Sequence, residues 1–267
     1  MGMTDLVLRS CNLYGPIPAY ISEMENLNRL DLGFNKLEGN INTPDYENLQ
    51  NVKYLYLTSN WLTGSVPEWM QSRDRDYPTD ISYNNFSESS EPTTCRENLN
   101  LFESFSAQRN SSFGVCLRNF QCPEEDQYSL HINCGGKRTT IEGVTFEDDQ
   151  DPGGAAKFVP QRPIWGTSNT GYFWDSIPSA TVYIANNVSI LRMKNSELYT
   201  RARRSAISLT YYARCFRNGN YTVKLHFSEI RIRGNRSFHS VRRRIFDIYI
   251  QVVKHTVCTL YATKYDF

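Results

Sequence analysis

The sequence predicts a mainly-β chain in two parts, a short parallel solenoid followed by a β-sandwich of the jelly-roll kind. Three observations carry that expectation. Leucines and an Asn or Cys recur with a period near 24 over the first third of the chain. From Tyr128 onward the apolar pattern changes to alternation with a period of two. The runs are short, bounded by polar turns, with little helical periodicity between them. With 17 Tyr and 14 Phe in 267 residues, composition also leans toward strand.

The first part is a repeat. Leu6-x-Leu8-x-x-Cys11-x-Leu13 returns as Leu30-x-Leu32-x-x-Asn35-x-Leu37 and as Leu55-x-Leu57-x-x-Asn60-x-Leu62. A degraded fourth copy reads Asp80-Ile81-Ser82-Tyr83-Asn84-Asn85-Phe86. The anchors at 11, 35, 60 and 84 lie 24, 25 and 24 residues apart. This is the leucine-rich-repeat signature. Each Leu-x-Leu pair makes a short strand that turns alternate side chains inward. The Asn or Cys after it bonds the backbone of the bend, and Leu13, Leu37 and Leu62 fill the core behind. Gly15, Gly39 and Gly64 follow the anchors, then Ile17, Ile41 and Val66, with Pro18 and Pro67 after two of them. That ending resembles the plant-type repeat. Leu8, Leu32 and Leu57 are expected in one interior row, with Asn35 and Asn60 buried against backbone. Recognition would then fall on the variable strand positions Arg9, Arg29, Asp31, Tyr54 and Tyr56. Of these, Tyr54 and Tyr56 are the candidate ligand-binding anchors, because an exposed Tyr supplies contact area at low entropic cost. The repeats occupy residues 1–90, and the absence of an N-terminal cap reads as truncation.

A junction follows over residues 91–127, opened by the linker-like Ser87-Glu88-Ser89-Ser90-Glu91-Pro92. Leu99 and Phe102, three apart, suggest a short helix over 95–102. Seven cysteines stand at 11, 95, 116, 122, 134, 215 and 258, and none forms a Cys-x-x-Cys pair. A zinc ribbon is therefore not expected. Four crowd between Cys95 and Cys134, which suits disulfides stapling a loop-rich stretch in an oxidising compartment. At least one bridge is expected among Cys95, Cys116 and Cys122, and Cys134 with Cys215 is a second candidate pair. Asn-x-Ser/Thr sequons at Asn85, Asn110, Asn187, Asn220 and Asn235 point the same way, toward a secreted glycoprotein. The N-terminus has no signal-peptide pattern and no window reaches the ~20 apolar residues of a membrane span.

In the second part, Tyr221-x-Val223-x-Leu225-x-Phe227, Ile207-x-Leu209-x-Tyr211 and Phe246-x-Ile248-x-Ile250 alternate with polar residues, and 180–185 reads as a further strand. Asn218-Gly219-Asn220 is a turn signal before Tyr221. Here the residues resemble a known family. Ser129-Leu130-His131-Ile132-Asn133-Cys134-Gly135-Gly136 resembles the opening of a plant malectin-like domain. The runs Glu197–Tyr212, Asn218–Ile230 and Arg243–Gln251 resemble its middle, its core hairpin and a late strand. Residues 128–251 are thus read as a malectin-like domain. With the upstream repeats, the chain resembles the ectodomain of a plant leucine-rich-repeat receptor-like serine/threonine kinase with an extracellular malectin domain. After Gln251 the family pattern breaks, so residues 252–267 read as a divergent tail. Cys258 within it is the candidate unpaired thiol, and the domain reads as incomplete at that end.

Chemistry is sparse. With 29 Lys plus Arg against 28 Asp plus Glu, the net charge is +1, and no basic field points to nucleic acid. His131, His226, His239 and His255 belong to no catalytic or metal-binding motif. Glu147, Asp148, Asp149 and Asp151 lack the glycine and distal Glu of a calcium loop and read as an exposed acidic loop. The cluster Arg201, Arg203 and Arg204 reads as a solvated face. Neither metal nor cofactor is expected. Tyr172-Phe173-Trp174-Asp175 is the candidate sugar-binding loop, since rings stack on sugar C–H faces while a carboxylate orients hydroxyls. Malectin's own glucose disaccharide makes the resemblance consistent with that loop. The resemblance implies a non-catalytic extracellular module that binds a peptide, protein or cell-wall glycan, with a co-receptor as a further partner. The kinase and the membrane span would lie outside this chain, and the parent would sit at the plasma membrane. The competing class is a carbohydrate-active enzyme or a stand-alone lectin.

Overall fold

The computed structural model describes residues 2–87, 92, 94–105, 116, 121–171, 183–187, 191, 194–230, 243–250 and 253–261. Each repeat coil supplies strands to two parallel sheets. In chain order these are β1 (Asp5–Val7), β2 (Tyr14–Pro16), β3 (Arg29–Asp31), β4 (Lys36–Asn40), β5 (Tyr54–Tyr56), β6 (Trp61–Thr63), β7 (Thr79–Asp80) and β8 (Leu99–Asn100). The inner sheet runs β1-β3-β5-β7-β8 and the lateral sheet runs β2-β4-β6. Leu30, Leu32, Leu55, Leu57, Leu62 and Ile81 are all at most 2% exposed. Each such burial stabilises the coil by about 1.5–3 kcal/mol. Leu8 departs from the expected interior row at 36% exposure. It lies on the first coil, which has a neighbouring coil on one side only, so its outer flank meets no leucine.

The asparagine ladder forms as the spacing requires. The Asn35 amide oxygen accepts from the backbone N–H groups of Cys11 and Leu13 at 3.0 and 3.1 Å. Its amide nitrogen donates to the carbonyls of Leu8 and Leu32, each at 2.8 Å. Asn60 accepts from Leu37 N–H at 3.0 Å and donates to Leu32 and Leu57. Asn84 accepts from Leu62 N–H at 3.1 Å and donates to Leu57 and Ile81. Every rung therefore ties its own bend to the coil before it, which satisfies backbone groups that would otherwise be buried unpaired.

A fifth coil stands where a helix is expected over 95–102. Leu99 and Leu101 are 1% and 4% exposed and alternate as strand residues do. Leu99 pairs with Thr79, and Asn100 with Asp80. Ser104, 0% exposed, takes the anchor position, its hydroxyl donating to the Ile81 carbonyl at 2.9 Å. The helical reading fails because a ready-made sheet edge offers ladder bonds that a single turn of helix lacks.

The later strands are β9 (Ile132–Asn133), β10 (Thr139–Ile141), β11 (Val144–Asp148), β12 (Ala156–Arg162), β13 (Trp165–Thr170), β14 (Ile184–Asn186), β15 (Arg201–Arg203), β16 (Ser208–Ala213), β17 (Arg243–Ile250) and β18 (Val253–Tyr261). They form the sheets β10-β11-β9, β12-β13-β16, β14-β15 and β17-β18. Two compact units result. One holds Met1–Gln127, Gly153–Thr181 and Ser205–Phe216, and the other holds Tyr128–Pro152, Val182–Arg204 and Arg217–Phe267. The sheet β12-β13-β16 thus shares a unit with the repeats. Phe158 and Tyr212 join their core, with Phe102 5.8 Å from each ring.

Two bridges staple that first unit, Cys95–Cys116 and Cys122–Cys215. The expected pairing of Cys134 with Cys215 is corrected, since Cys215 is taken by Cys122 at 2.03 Å. Cys134 belongs to the other unit, where it is exposed. Cys258 pairs by backbone register with Phe246 in β17-β18.

The second unit corrects three readings. The alternating run Tyr221–Phe227 forms no strand, and Tyr221, Val223, Leu225 and Phe227 are 44–52% exposed. Alternation marks a strand only where a neighbour supplies ladder bonds. Asp149 is no exposed acidic residue but 1% exposed. Arg203 is no solvated cation either: its guanidinium reaches the Asp149 carboxylate at 2.5 and 2.7 Å and the Asp151 carbonyl at 2.9 Å. Gly135 N–H donates to the same carboxylate at 3.0 Å. Gly135 has φ +78°, and a Cβ there would meet Arg203 backbone nitrogen at 2.6 Å. This explains why the Cys134-Gly135-Gly136 run needs glycine at that point.

Candidate functional site

The inner sheet of a solenoid is the natural place for recognition, because its variable positions line up in rows. Register aligns Asp31, Tyr56, Asp80 and Asn100 across four strands. All four are at most 1% exposed. Tyr56 is therefore corrected from an exposed anchor to a buried residue of this row. The reason is visible further along it. Asn100 donates to the Thr170 hydroxyl at 3.3 Å and accepts from the Ser168 hydroxyl at 3.1 Å. Tyr83 and Thr210 share a hydroxyl bond of 3.1 Å. Strand β13, buried along its whole length, and strand β16 lie over this end of the sheet.

Within the row Asp80 is the electrostatic centre. Its carboxylate accepts from Ser82 N–H at 3.1 Å, from the Ser82 hydroxyl at 2.5 Å and from the Asn100 amide at 3.1 Å. Every one of these donors is neutral. Burial pushes its pKa up to about 6, and the hydrogen bonds only partly offset that push. Tyr83 beside it is raised as well, first by burial. At the other end Asp31 is held by Arg9 and by Gly33 N–H at 3.1 Å. Asp31, Asp80 and Asn100 thus each find side-chain partners along this buried row within one folded unit.

Tyr54 lies one position before Leu55 and stays half-buried. Arg29 and Lys53 sit over its ring at 5.3 and 5.6 Å. Cations on the ring face leave less of it for a ligand. Tyr172, Phe173, Trp174 and Asp175 fall outside the described residues. Of the sequons, Asn85 and Asn220 are exposed and Asn187 is half-buried. Asn110 and Asn235 fall outside the described residues. His226 is exposed and bonds the Tyr199 hydroxyl at 3.0 Å, while His131 stands 5.5 Å from the Phe146 ring. Among the described residues no group of three or more His, Cys, Asp or Glu is placed to hold a metal. No described helix is long and apolar enough to cross a membrane.

Sequence reasoning missed Asp80, Asn100, Ser168 and Thr170 as a connected set. Only Asp80 carried a signal, being at the strand position equivalent to Asp31.

Comparison with known proteins fits this architecture. The malectin domain family matches residues 128–258, and the leucine-rich-repeat family matches residues 51–72. Three probable leucine-rich-repeat receptor-like serine/threonine-protein kinases of Arabidopsis thaliana are similar to the chain. One is 44% identical over 87% of this chain and 23% of its own length. A second is 37% identical over 93% and 24%, and a third 42% identical over 84% and 22%. The chain therefore spans less than a quarter of these relatives. Its matched domains are non-catalytic ones, and no kinase domain lies within it. With five ladder-bonded coils, a malectin match and these relatives, the chain carries the leucine-rich repeats and malectin domain of the part it shares with these receptor-like serine/threonine kinases.

Proposed function

We propose that the chain is the extracellular ligand-recognition region of such a receptor. It binds a peptide, protein or cell-wall carbohydrate outside the cell, and the event passes across the plasma membrane to a kinase domain beyond this chain. The observation that supports this reading is the joining of repeats and malectin-family strands in one stapled unit. Two disulfides there suit an oxidising compartment. Because the Asp31-to-Asn100 row is buried, recognition falls on residues outside that row. The aromatic loop Tyr172-Phe173-Trp174-Asp175 is the site favoured by its chemistry, with Tyr54 as a secondary contact.

The test is a glycan and peptide binding screen on the secreted chain extended by the rest of its ectodomain. Hits are remeasured after Tyr172→Ala and Trp174→Ala. A loss of tenfold or more in affinity with the fold intact supports the loop. Unchanged affinity removes it, and turnover of a bound sugar would replace the receptor reading with an enzyme.

A further inference from the structure

The lateral sheet β2-β4-β6 carries an exposed indole. Trp61 in β6 is 56% exposed. The next coil continues this ladder beyond β6. Asn85 N–H donates to the Leu62 carbonyl at 2.9 Å, and Ser87 N–H donates to the Gly64 carbonyl at 2.7 Å. In parallel pairing those two bonds set Asn85 opposite Thr63. Leu62 and Phe86 are both 0% exposed and point inward. Alternation therefore puts Trp61, Thr63 and Asn85 on the outer face together. Trp61 lies diagonal to Asn85, one strand over and two residues back, with roughly 8 Å between Cα atoms. Asn85 is exposed, and Asn85-Phe86-Ser87 is a complete sequon.

We infer that Asn85 is glycosylated and that its first N-acetylglucosamine stacks on Trp61. The modification joins Asn85 Nδ2 to the anomeric carbon of an oligosaccharide carried on a lipid diphosphate. The anomeric C–O bond breaks, the lipid diphosphate leaves with the electron pair, and the Nδ2 proton passes to a base of the transferase. The sugar then offers an apolar C–H face to a ring that otherwise stays in water. The lateral outer face is neutral in sum around it, with Lys36 and Glu38 exposed on β4, and so suits an uncharged sugar. The other described sequons lack this setting. Asn187 is half-buried, and Asn220 lies in a segment with no strand ladder to fix a ring beside it. The glycan covers the lateral face of the third and fourth coils and removes it as a ligand surface. The inference needs passage through a secretory route, and no particular ligand.

The experiment uses the whole chain, secreted from a eukaryotic host behind a supplied signal sequence. Glycopeptide mass spectrometry is expected to find Asn85 occupied. The glycan is then trimmed to a single N-acetylglucosamine and compared with Asn85→Gln, each with Trp61 and with Trp61→Leu. Loss of the sugar is expected to lower the unfolding midpoint by ~2 °C or more with Trp61 present, and by less than half of that without it. In the trimmed wild type, the N-acetyl methyl resonance is expected upfield of its free-sugar position through the indole ring current. An empty Asn85, equal midpoint shifts in both backgrounds, or an unshifted resonance overturns the inference. Should Trp61→Leu fail to fold, the wild-type resonance decides alone.

Discussion

The repeat coils and the Tyr221–Phe227 segment start from the same instruction, an apolar residue at every second position, and end differently. In the coils each strand meets a partner about 24 residues away, already shaped by the same motif. The ladder closes and Leu55, Leu57 and Leu62 reach 0% exposure. In the later segment the described residues form no strand ladder, and Val223 and Leu225 remain about half exposed at 51% and 52%. A pattern selects which face a strand would bury; the hydrogen-bonding neighbour decides whether there is a strand. Repetition supplies that neighbour at low loop-closure cost, since each coil closes a short loop.

The largest expected effect that sharpens this contrast is chemical reduction. Opening Cys95–Cys116 and Cys122–Cys215 should cost about 2–4 kcal/mol each, read as a fall in the urea midpoint of the secreted chain. Both bridges lie in the first unit. Hydrogen exchange should therefore quicken at Leu101 and Tyr212 and stay unchanged at Gly135. Equal acceleration in both would break the distinction between the units.

Next in size is Leu57→Ala, which should lose about 3 kcal/mol through lost burial and a cavity between coils. Its counterpart Leu225→Ala, at an exposed position, should move stability by ~0.5 kcal/mol or less. A comparable loss at both sites would show that the later alternation does pack in solution. Asn60→Ala should follow at about 2 kcal/mol, because it leaves the buried Leu37 N–H without its acceptor, while the Leu32 and Leu57 carbonyls keep only Asn35 and Asn84.

The pH dependence comes from Asp80. Its folded pKa is raised to about 6 from 3.8. The folded state therefore holds the proton more tightly than the unfolded chain. The resulting stabilisation is complete below pH ~4 and lost as pH rises through ~6, at most about 3 kcal/mol over that window. Asp80→Asn should flatten the stability profile between pH 4 and 7 measured by urea titration. A slope that survives the substitution assigns it to another group. A small effect is also expected from Tyr54→Ala, where loss of the Arg29 and Lys53 contacts should cost ~0.5–1 kcal/mol in the same urea titration.

Much of the first part was legible from residue spacing. Anchors at 35, 60 and 84 named their own hydrogen-bonding partners, because an Asn one coil away is always in the same place. The fifth rung was hidden, since Ser104 stands 20 residues after Asn84 with a hydroxyl in place of an amide. The candidate site was far less legible. Tyr56 has the residue type of a surface anchor, and nothing local distinguishes it from one.

The sequence by itself determined the mainly-β class, the coil period, the asparagine ladder, the presence of a disulfide among Cys95, Cys116 and Cys122, and the family. These rest on contacts within one coil or between adjacent coils, or on motifs read in line. Only the tertiary structure decided that Cys122 takes Cys215, that Arg203 is buried on Asp149, and that Ser168 and Thr170 close over Asn100. Each joins residues some 54 to 93 positions apart. The chain between them sets no local period, so which distant partner is met depends on how whole sheets pack, and packing is a property of the assembled fold.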